Sequence, residues 1–469
     1  MLAACLSAAA SAAPPRVSRR VAVIGGGSGG LAAARFLQRA GHRPVLFEAG
    51  ASLGGVWAEA PTKDVVYQRL QTNLPTVVMQ SPDLDFPAGT RSYVSKRELG
   101  AYIARYAAEF GGAAAARLGC VVTRVRLEGG GGAEARWRVE WTCGEEACSD
   151  VFDAVAVANG HYDKPYEPEV RGQREWLAAD SARSVLHSRA YDDAEAFRGE
   201  AVLVVGGRSS GVDIARQLHG VAAWVYVLET KCAAPRTDAG LRVTHVPLGA
   251  RLAADGRVYL GDEPVGGPAV QRLLLATGYC YSFPFLDEAE LGMSFEGRRL
   301  VTPLYQHLLH ARLPTLGFVG IPLAVPCPIP FFECQAAFLA EHWARPAAAP
   351  LTSEGERLEW VARRLAAVGE RTQDMHFTSA AGGCPWSYMR ELIARARAAR
   401  AQTSGECAAR GAESWLEGEE WDSRLRTVEE IYRDRGSRYP TLPWEDDAYR
   451  RCEYSVDWAS GRWTVVQGE

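Results

Sequence analysis

The sequence predicts an α/β protein with two Rossmann-like dinucleotide-binding domains, the second inserted into the first, with a small β-meander and a helical C-terminal extension. Two glycine-rich turns carry this prediction, residues 25–30 (Gly-Gly-Gly-Ser-Gly-Gly) and residues 206–211 (Gly-Gly-Arg-Ser-Ser-Gly). Each follows an apolar run typical of a buried strand and begins a helical pattern. Glycine lets backbone N–H groups approach a pyrophosphate at a helix N-terminus. One such turn is a weak signal, but two predict an enzyme that binds two dinucleotides and transfers a hydride between them.

The first turn belongs to a complete strand–helix–strand unit. Strands are predicted at residues 21–24 and 44–47, and Glu48 closes the second strand. A carboxylate about 20 residues beyond the glycines accepts a hydrogen bond from a ribose 2′-hydroxyl, which fits FAD or NAD and argues against NADP here. The candidate nucleotide-binding residues of this loop are Gly25, Gly27, Ser28, Gly29 and Gly30.

The second unit follows a predicted β-meander and a buried strand at residues 154–160. Its candidate nucleotide-binding residues are Gly206, Arg208, Ser209, Ser210 and Gly211. A later strand at residues 271–276 should return the chain to the first lobe. The predicted segments are a disordered or targeting leader (1–17), the first part of the FAD-binding domain (18–165), an inserted NAD(P)H-binding domain (166–300), the second part of the FAD-binding domain (301–386) and the helical extension (387–469).

Composition excludes some partners. With 47% hydrophobic residues, 23% charged residues and a net charge of -4, the chain has no basic excess for nucleic acid or an anionic membrane. The longest apolar stretch, 313–340, is interrupted by five prolines, so no transmembrane segment is expected. The leader is rich in Ala and Ser, and no acid precedes Glu48, which fits a transit peptide or a disordered tail. Cytoplasmic and organellar locations both stay open, as does the oligomeric state.

Eleven cysteines are scattered along the chain, and only Cys143 and Cys148 lie close together, at a predicted hairpin turn. We expect them to form a reduced cross-strand thiol pair rather than a redox-active disulfide facing a flavin. No spacing typical of a zinc site is present, so no metal is expected.

Several short segments between about residues 21 and 386 together resemble the flavin-containing monooxygenases, most closely the plant-type S-oxygenating branch. Besides the first loop with Glu48, they are Gly54-Gly55-Val56-Trp57, residues 67–75 (Tyr-Gln-Arg-Leu-Gln-Thr-Asn-Leu-Pro), residues 187–191 (His-Ser-Arg-Ala-Tyr), residues 276–279 (Ala-Thr-Gly-Tyr), residues 303–307 (Pro-Leu-Tyr-Gln-His), residues 318–322 (Phe-Val-Gly-Ile-Pro) and residues 382–385 (Gly-Gly-Cys-Pro). Singly these are short, but their common order is highly specific.

The resemblance implies an FAD enzyme that uses NADPH and O2 to form a C4a-hydroperoxyflavin, which oxygenates a soft nucleophile such as a sulfide or amine of a small molecule. Asn73 stands where this family has its functional asparagine, since a neutral amide donates and accepts hydrogen bonds without supplying acid. Gly55 and Trp57 match the family's segment beside the flavin, and Thr277 and Gly278 are expected to let the backbone approach a cofactor. His187 and Tyr191 are interpreted as structural links between the lobes.

Some positions depart from the family pattern. The aromatic and the glycine that normally precede the family's histidine are Ser181 and Arg183 here, and Arg208 replaces the middle glycine of the second loop. Arg208 either crowds the pyrophosphate or offers it a guanidinium. After the next strand, where many relatives hold a 2′-phosphate, Glu229 would repel that phosphate, although Lys231 could supply positive charge. NADPH is therefore expected by family, with NADH as the alternative.

Rival functions remain open at this point. A Baeyer–Villiger monooxygenase, a flavin-disulfide reductase using Cys143 and Cys148, and a non-catalytic FAD protein with a degenerate second site are the alternatives. In the C-terminal extension, helical patterns at residues 388–400 and 415–435 are interleaved with tryptophans, and we expect solvated helices whose tryptophans face the core.

Overall fold

Two mainly parallel sheets organise the computed structural model of the protein, which describes residues 16–59, 66–230, 232–238, 240–295, 297, 299–348, 351–401, 419–439 and 448–467. The strands are β1 (Arg20–Ile24), β2 (Arg43–Phe47), β3 (Ala116–Arg117), β4 (Cys120–Gly129), β5 (Arg136–Cys143), β6 (Glu146–Phe152), β7 (Ala154–Val157), β8 (Lys164–Pro165), β9 (Ser184–His187), β10 (Ala201–Val205), β11 (Trp224–Glu229), β12 (Arg236–Asp238), β13 (Val243–Pro247), β14 (Arg251–Leu252), β15 (Val258–Leu260), β16 (Glu263–Pro264), β17 (Arg272–Leu275), β18 (Tyr279–Cys280), β19 (Leu304–Tyr305), β20 (Leu309–His310), β21 (Leu316–Phe318), β22 (Cys452–Asp457) and β23 (Arg462–Gln467). The helices are α1 (Ser28–Arg39), α2 (Thr76–Met79), α3 (Lys96–Glu109), α4 (Gly112–Ala115), α5 (Gln173–Ala178), α6 (Ser209–Leu218), α7 (Glu288–Leu291), α8 (Pro328–Ala344), α9 (Glu354–Val368), α10 (Pro385–Ala401) and α11 (Glu419–Arg438).

The first sheet has the strand order β19-β20-β21-β7-β1-β2-β3, so it contains strands from both before and after the second sheet in the chain. Its centre is parallel, with Val23 of β1 opposite Leu46 of β2 and Ala156 of β7. These strands are buried on both faces, which explains why they are continuous apolar runs rather than alternating ones.

The second sheet, β12-β13-β11-β10-β17-β9, is formed entirely between β7 and β19 of the first. The chain crosses between the lobes at β8 and β18, which pair antiparallel with Tyr279 opposite Pro165. Two parallel-sheet lobes, one inserted into the other, confirm the predicted fold class. The domain boundaries near 165 and 300 stay predictions.

The predicted meander is the antiparallel sheet β4-β5-β6. The expected Cys143–Cys148 pair is wrong, because a disulfide joins Cys120 to Cys143 and Cys148 is free. Cys120 lies directly opposite Cys143 on β4, with Cα atoms 4.3 Å apart. On the neighbouring strand β6, Glu146 lies opposite Cys143, and Cys148 lies opposite Trp141. Strand register rather than proximity in sequence therefore decides which cysteines form the disulfide.

The apolar stretch 313–340 enters α8, a helix with nearly every residue buried against α1 and α10. Arg35 of α1 is only 2% exposed and bonds to Glu333 of α8 at 2.7 Å, so a paired charge lies inside this core. Among the residues that the structure describes, none forms a helix long and apolar enough to cross a membrane.

The C-terminal extension contains α10 and α11 as predicted, and also a hairpin, β22–β23, that was not predicted. Trp421 of α11 is buried, whereas Trp415 and Trp444 lie outside the described residues. Residues 1–15 of the predicted leader also lie outside them. The hairpin docks on the first lobe at Ser92, whose N–H donates to Glu453 and whose hydroxyl accepts from the N–H of Tyr454. The extension is therefore part of the first lobe's packing.

Candidate active site

The first glycine loop holds α1 tightly against β1. Gly25 has φ +106°, and its N–H donates to the carbonyl of Phe47 at 2.8 Å. A Cβ on Gly25 would lie 2.5 Å from the Ala158 carbonyl oxygen, and one on Gly30 would lie 1.8 Å from the Gly25 oxygen. These two positions therefore exclude any side chain, and the helix begins directly at the end of the strand.

Glu48 closes β2 with a buried carboxylate that faces this loop. One oxygen accepts from the N–H of Gly26 at 2.7 Å, and the other accepts from the N–H of Gly50 at 2.7 Å. These charge-assisted bonds fix the orientation of the carboxylate beside the start of α1. A carboxylate oxygen accepts more than one hydrogen bond, so a ribose hydroxyl can be bound together with the loop amides.

Gly27 closely approaches Gly55 beside the start of α1. A Cβ on Gly27 would be 3.5 Å from the Gly55 Cα, and Gly55 itself has φ +60°. Trp57 ends the short 3-10 turn that follows, half-buried against the first core. Ser28 and Gly29 open α1, where backbone N–H groups and the helix dipole favour an anion.

Helix capping leaves room for a phosphate ligand at both glycine loops, although α2, α4, α5 and α8 also begin without a side-chain cap. Helices α3 and α9 begin with capping boxes at Ser95 and Ser353. In contrast, within the described residues no side chain caps the first turn of α1 or of α6. Uncapped N–H groups need another acceptor, and a pyrophosphate provides one.

The second loop repeats the geometry of the first. Gly206 has φ +117°, and its N–H donates to the carbonyl of Leu228 at 2.8 Å. A Cβ on Gly211 would lie 1.7 Å from the Gly206 oxygen. Ser209 and Ser210, both exposed, open α6.

Glu229 ends β11 in the same relation to this loop as Glu48 has to the first. A Cβ on Gly207 would lie 2.4 Å from a Glu229 carboxylate oxygen. The other Glu229 oxygen bonds to the His245 ring at 2.7 Å, on the neighbouring strand β13. A negative charge therefore lies where the sugar of a dinucleotide would bind. Lys231, the expected counter-charge, lies outside the described residues.

Arg208 points away from its own helix and onto the first lobe. Its guanidinium carbon lies 4.9 Å from the centroid of the Phe377 ring, a cation–π contact. The side chain itself is exposed at the loop. Replacing the middle glycine by arginine has therefore created a contact between the lobes, a possibility that the sequence patterns did not include.

Asn73 belongs to the first lobe but faces the second loop. Its Nδ2 lies 3.4 Å from the Ser209 hydroxyl oxygen, at the first turn of α6. The backbone before it is fixed, because Thr72 N–H donates to the Val94 carbonyl at 2.9 Å and Val94 N–H donates to the Thr72 hydroxyl at 3.1 Å. The tertiary structure thus brings together two candidate residues that are 136 positions apart.

Thr277 and Gly278 lie at the crossing between the lobes. The Thr277 hydroxyl donates to the carbonyl of Tyr166, and Gly278, with φ +83°, accepts from the N–H of Tyr166 at 2.9 Å. The His187 ring also bonds to the Gly278 carbonyl at 3.0 Å, and burial lowers the pKa of His187. Tyr191 packs edge-on against Tyr67. These contacts agree with linking roles for His187 and Tyr191.

His161 and Tyr281 were not indicated by any motif, yet they lie beside the end of β7 and contact each other, with ring centroids 5.7 Å apart. His161 bonds to the Gly320 carbonyl at 3.1 Å, and burial lowers the pKa of His161 to about 4. Burial also raises the pKa of Tyr281. Both side chains are neutral near pH 7. The only sequence signal was their position next to strand ends. Across the described ranges, no group of three or more His, Cys, Asp or Glu side chains is placed to hold a metal ion.

Comparison with known proteins identifies the family of this chain. The Flavin-binding monooxygenase-like family model matches residues 18–234, a range that includes both glycine loops. Flavin-containing monooxygenase FMO GS-OX-like 2 of Arabidopsis thaliana is 33% identical over 342 residues, covering 66% of this chain and 70% of the relative. The chain belongs to the flavin-containing monooxygenase family. It is therefore an oxidoreductase and a flavoprotein monooxygenase, as the sequence motifs predict.

Two further similar proteins are named as oxygenases of sulfur or nitrogen. The structure of S-allyl-L-cysteine S-oxygenase from Allium sativum has a TM-score of 0.72 and 28% identity, covering 90% of this chain and all (100%) of that chain. Senecionine N-oxygenase of Tyria jacobaeae is 29% identical over 308 residues, covering 62% of this chain and 64% of the relative. The family assignment is settled by these similarities, whereas the roles of individual site residues stay predictions.

Proposed function

We propose that this monooxygenase binds FAD, takes two electrons from a reduced nicotinamide dinucleotide, and oxygenates a sulfur or amine nitrogen of a small molecule. One atom of O2 forms the new S–O or N–O bond, and the other leaves as water with the two electrons and two protons. The observation that carries this proposal is the position of Asn73, a first-lobe residue whose amide lies 3.4 Å from the Ser209 hydroxyl at the second glycine loop. The named S-oxygenase and N-oxygenase relatives support the substrate class.

The first loop is the proposed FAD site. Glu48 would accept from a ribose hydroxyl, while the N–H groups at the start of α1 would bind the pyrophosphate between Gly27 and Gly55. Trp57 would then lie beside the bound cofactor. Reduced flavin, when bound, supplies the ability to activate O2 for transfer of one oxygen atom to a soft nucleophile.

Asn73 is the proposed catalytic residue because it is a neutral hydrogen-bonding group in a site that must limit proton leakage. Its amide can donate to a cofactor oxygen or nitrogen without delivering a proton. Burial lowers the pKa of His161, beside the end of β7, to about 4, so this side chain too supplies no acid near pH 7. A neutral lining would favour transfer of oxygen to substrate over release of hydrogen peroxide.

The reductant has two candidates. The family resemblance favours NADPH, while Glu229 favours NADH, because its carboxylate beside Gly207 would accept from a ribose hydroxyl and repel a 2′-phosphate. Arg208, Ser209, Ser210 and Gly211 would surround the pyrophosphate of either dinucleotide, with Thr277 and Gly278 near the strand end.

Anaerobic mixing tests the proposal. The purified flavoprotein is mixed with NADPH and, separately, with NADH, and the loss of the oxidised-flavin absorbance is followed. O2 and a thioether or tertiary amine are then admitted, and sulfoxide or N-oxide is quantified against nicotinamide oxidised. Absence of flavin reduction by either nucleotide would establish a non-catalytic protein, whereas ester or lactone from a ketone, without S- or N-oxide, would establish a Baeyer–Villiger enzyme.

Asn73→Ala tests the named residue. We expect oxygenated product per nicotinamide oxidised to fall about tenfold to a hundredfold, with hydrogen peroxide rising to match, while the rate of anaerobic flavin reduction stays within about twofold. Asn73→Asp is the matched variant, since it keeps the shape but replaces the N–H donor by a charge. Normal product yield in both variants would remove Asn73 from the mechanism.

A further inference from the structure

One arginine of the C-terminal extension reaches the candidate active site. Arg450 lies in the short 3-10 turn Ala448–Arg451, and its side chain is 8% exposed. Its Nη2 donates to the Gln71 carbonyl at 3.1 Å and its Nε to the Thr72 carbonyl at 3.3 Å. Its Nη1 donates to a carboxylate oxygen of Asp213 at 3.0 Å. The two carbonyls immediately precede Asn73, and Asp213 lies on α6, so one guanidinium joins three distant parts of the chain.

Asp213 accepts further hydrogen bonds besides the one from Arg450. It accepts from the Tyr67 hydroxyl, from the Arg216 guanidinium and, at 3.0 Å, from Gln217 Nε2. Burial, and then the Asp213 charge, raise the pKa of Tyr67, so its hydroxyl stays protonated and donates. A buried carboxylate with this many donors is fully compensated, and removing its arginine partner leaves charge and carbonyls unpaired.

We propose that Arg450 is a positioning residue that holds Asn73 at the second glycine loop. This inference rests on the proposed function, because it takes the role of Asn73 from there. Ser209, which Asn73 faces, and Asp213 are four residues apart on α6, so they lie one helical turn from each other. Arg450 and Asn73 therefore contact the same helix at successive turns, and the guanidinium fixes the backbone that carries Asn73.

The chemistry of arginine suits this role. Its planar guanidinium has donors in a fixed fork, and here three of its nitrogens point at three acceptors from two lobes. A lysine offers a point charge on a flexible chain and would satisfy Asp213 while leaving the Gln71 and Thr72 carbonyls poorly oriented. Arg450→Lys should therefore still hold the segment before Asn73 in part, whereas Arg450→Met should not hold it at all.

The experiment compares Arg450→Met with Arg435→Met in the full-length holoenzyme. Arg435 is a matched control, because it is also a buried arginine of the extension and packs on the same Tyr449 ring, at 5.2 Å against 5.3 Å for Arg450. We expect Arg450→Met to lower oxygenated product per nicotinamide oxidised about tenfold, with anaerobic flavin reduction within about twofold, and Arg450→Lys to recover part of it. Equal losses in the two Met variants, or no loss in Arg450→Met, would overturn the proposal.

A double-mutant cycle tests whether Arg450 acts through Asn73. If it does, adding Arg450→Met to Asn73→Ala does not further lower the oxygenated product per nicotinamide oxidised, because the Asn73 amide that Arg450 positions is already absent. Losses that multiply would show that Arg450 acts elsewhere and would contradict the inference.

Hydrogen exchange separates this inference from the proposed function. Without substrate, the amides of residues 70–76 should exchange at least about tenfold faster in Arg450→Met than in wild type, and at wild-type rates in Arg435→Met. If wild type forms no oxygenated product, the proposed function fails, while the exchange rates still decide whether Arg450 holds this segment. Unchanged exchange in Arg450→Met would reject the positioning role whatever the enzyme's activity.

Discussion

The two glycine loops of this monooxygenase share one backbone but differ where a ligand would lie. In both, the first glycine has a positive φ, and its N–H donates to a carbonyl near the end of the next strand, β2 or β11. A Cβ on the last glycine would meet the first glycine's oxygen at 1.8 Å or 1.7 Å. At the middle position the first loop has Gly27, which faces Gly55, and the second has Arg208, which stacks on Phe377. The fold therefore fixes the outer glycines, whereas the middle position accommodates a side chain in the second loop.

The acids that follow the loops differ in the same way. Glu48 is bound on both oxygens by N–H groups of its own lobe, while Glu229 shares one oxygen with His245. The first arrangement holds the carboxylate in the orientation that the proposed ribose contact requires. The second also presents a carboxylate to the sugar, so the two loops differ less in what they accept than their sequences suggest.

The largest expected effect comes from the glycines that both loops share. Gly30→Ala and Gly211→Ala each force a Cβ into a backbone oxygen, which should destabilise the affected lobe by more than about 4 kcal/mol. Gly30→Ala should abolish flavin incorporation, and Gly211→Ala should abolish flavin reduction while the flavin stays bound. Flavin content and thermal unfolding measure both. In the control Gly29→Ala, the Cβ meets Val319 at 3.4 Å and should fit; an equal loss there would refute the steric explanation.

Glu48→Ala should weaken FAD binding by about tenfold to a hundredfold, because two charge-assisted hydrogen bonds and the ribose acceptor are lost together. Fluorescence titration of the apoprotein with FAD measures the dissociation constant. Glu48→Gln should lose less, since an amide oxygen still accepts from one N–H. An unaltered constant in Glu48→Ala would mean that the cofactor does not depend on this acid.

Glu229→Ser tests whether the acid at the second loop selects between NADH and NADPH. Removing the carboxylate should raise the rate of flavin reduction by NADPH relative to NADH about tenfold, because a like charge no longer faces the 2′-phosphate. Stopped-flow reduction with each nucleotide gives the ratio. The exposed acid Glu263 supplies the control Glu263→Ser, which should leave the ratio unchanged. A ratio that does not move in Glu229→Ser would show that Glu229 does not select the nucleotide.

Arg208→Gly should have the smallest effect. It removes a cation–π contact of about 0.5–1 kcal/mol, so apparent nicotinamide affinity should change only about twofold to fivefold. Phe377→Leu should reproduce the change if the contact between the lobes is responsible. A much larger loss confined to Arg208→Gly would instead assign the guanidinium to the phosphates.

Much of the fold was predictable because it depends on local patterns. The strands and helices around both loops follow apolar runs and glycine positions, and an acid at the end of β2 was placed correctly beside the first loop. The cysteine prediction failed because it counted along the chain, whereas disulfide geometry depends on which residues face each other across β4 and β5. The hairpin β22–β23 was missed although Cys452, Tyr454 and Val456 alternate with polar residues, because the whole extension was interpreted as helical.

The sequence by itself determined the fold class, the family and the candidate list, since glycine turns, strand ends and motif order are local properties of the chain. Only the tertiary structure decided that Asn73 meets Ser209, that Arg208 reaches Phe377, and that Arg450 holds the backbone before Asn73. Each of these contacts joins residues more than a hundred positions apart. Such pairs are brought together by the packing of two lobes and an extension, which no local pattern encodes.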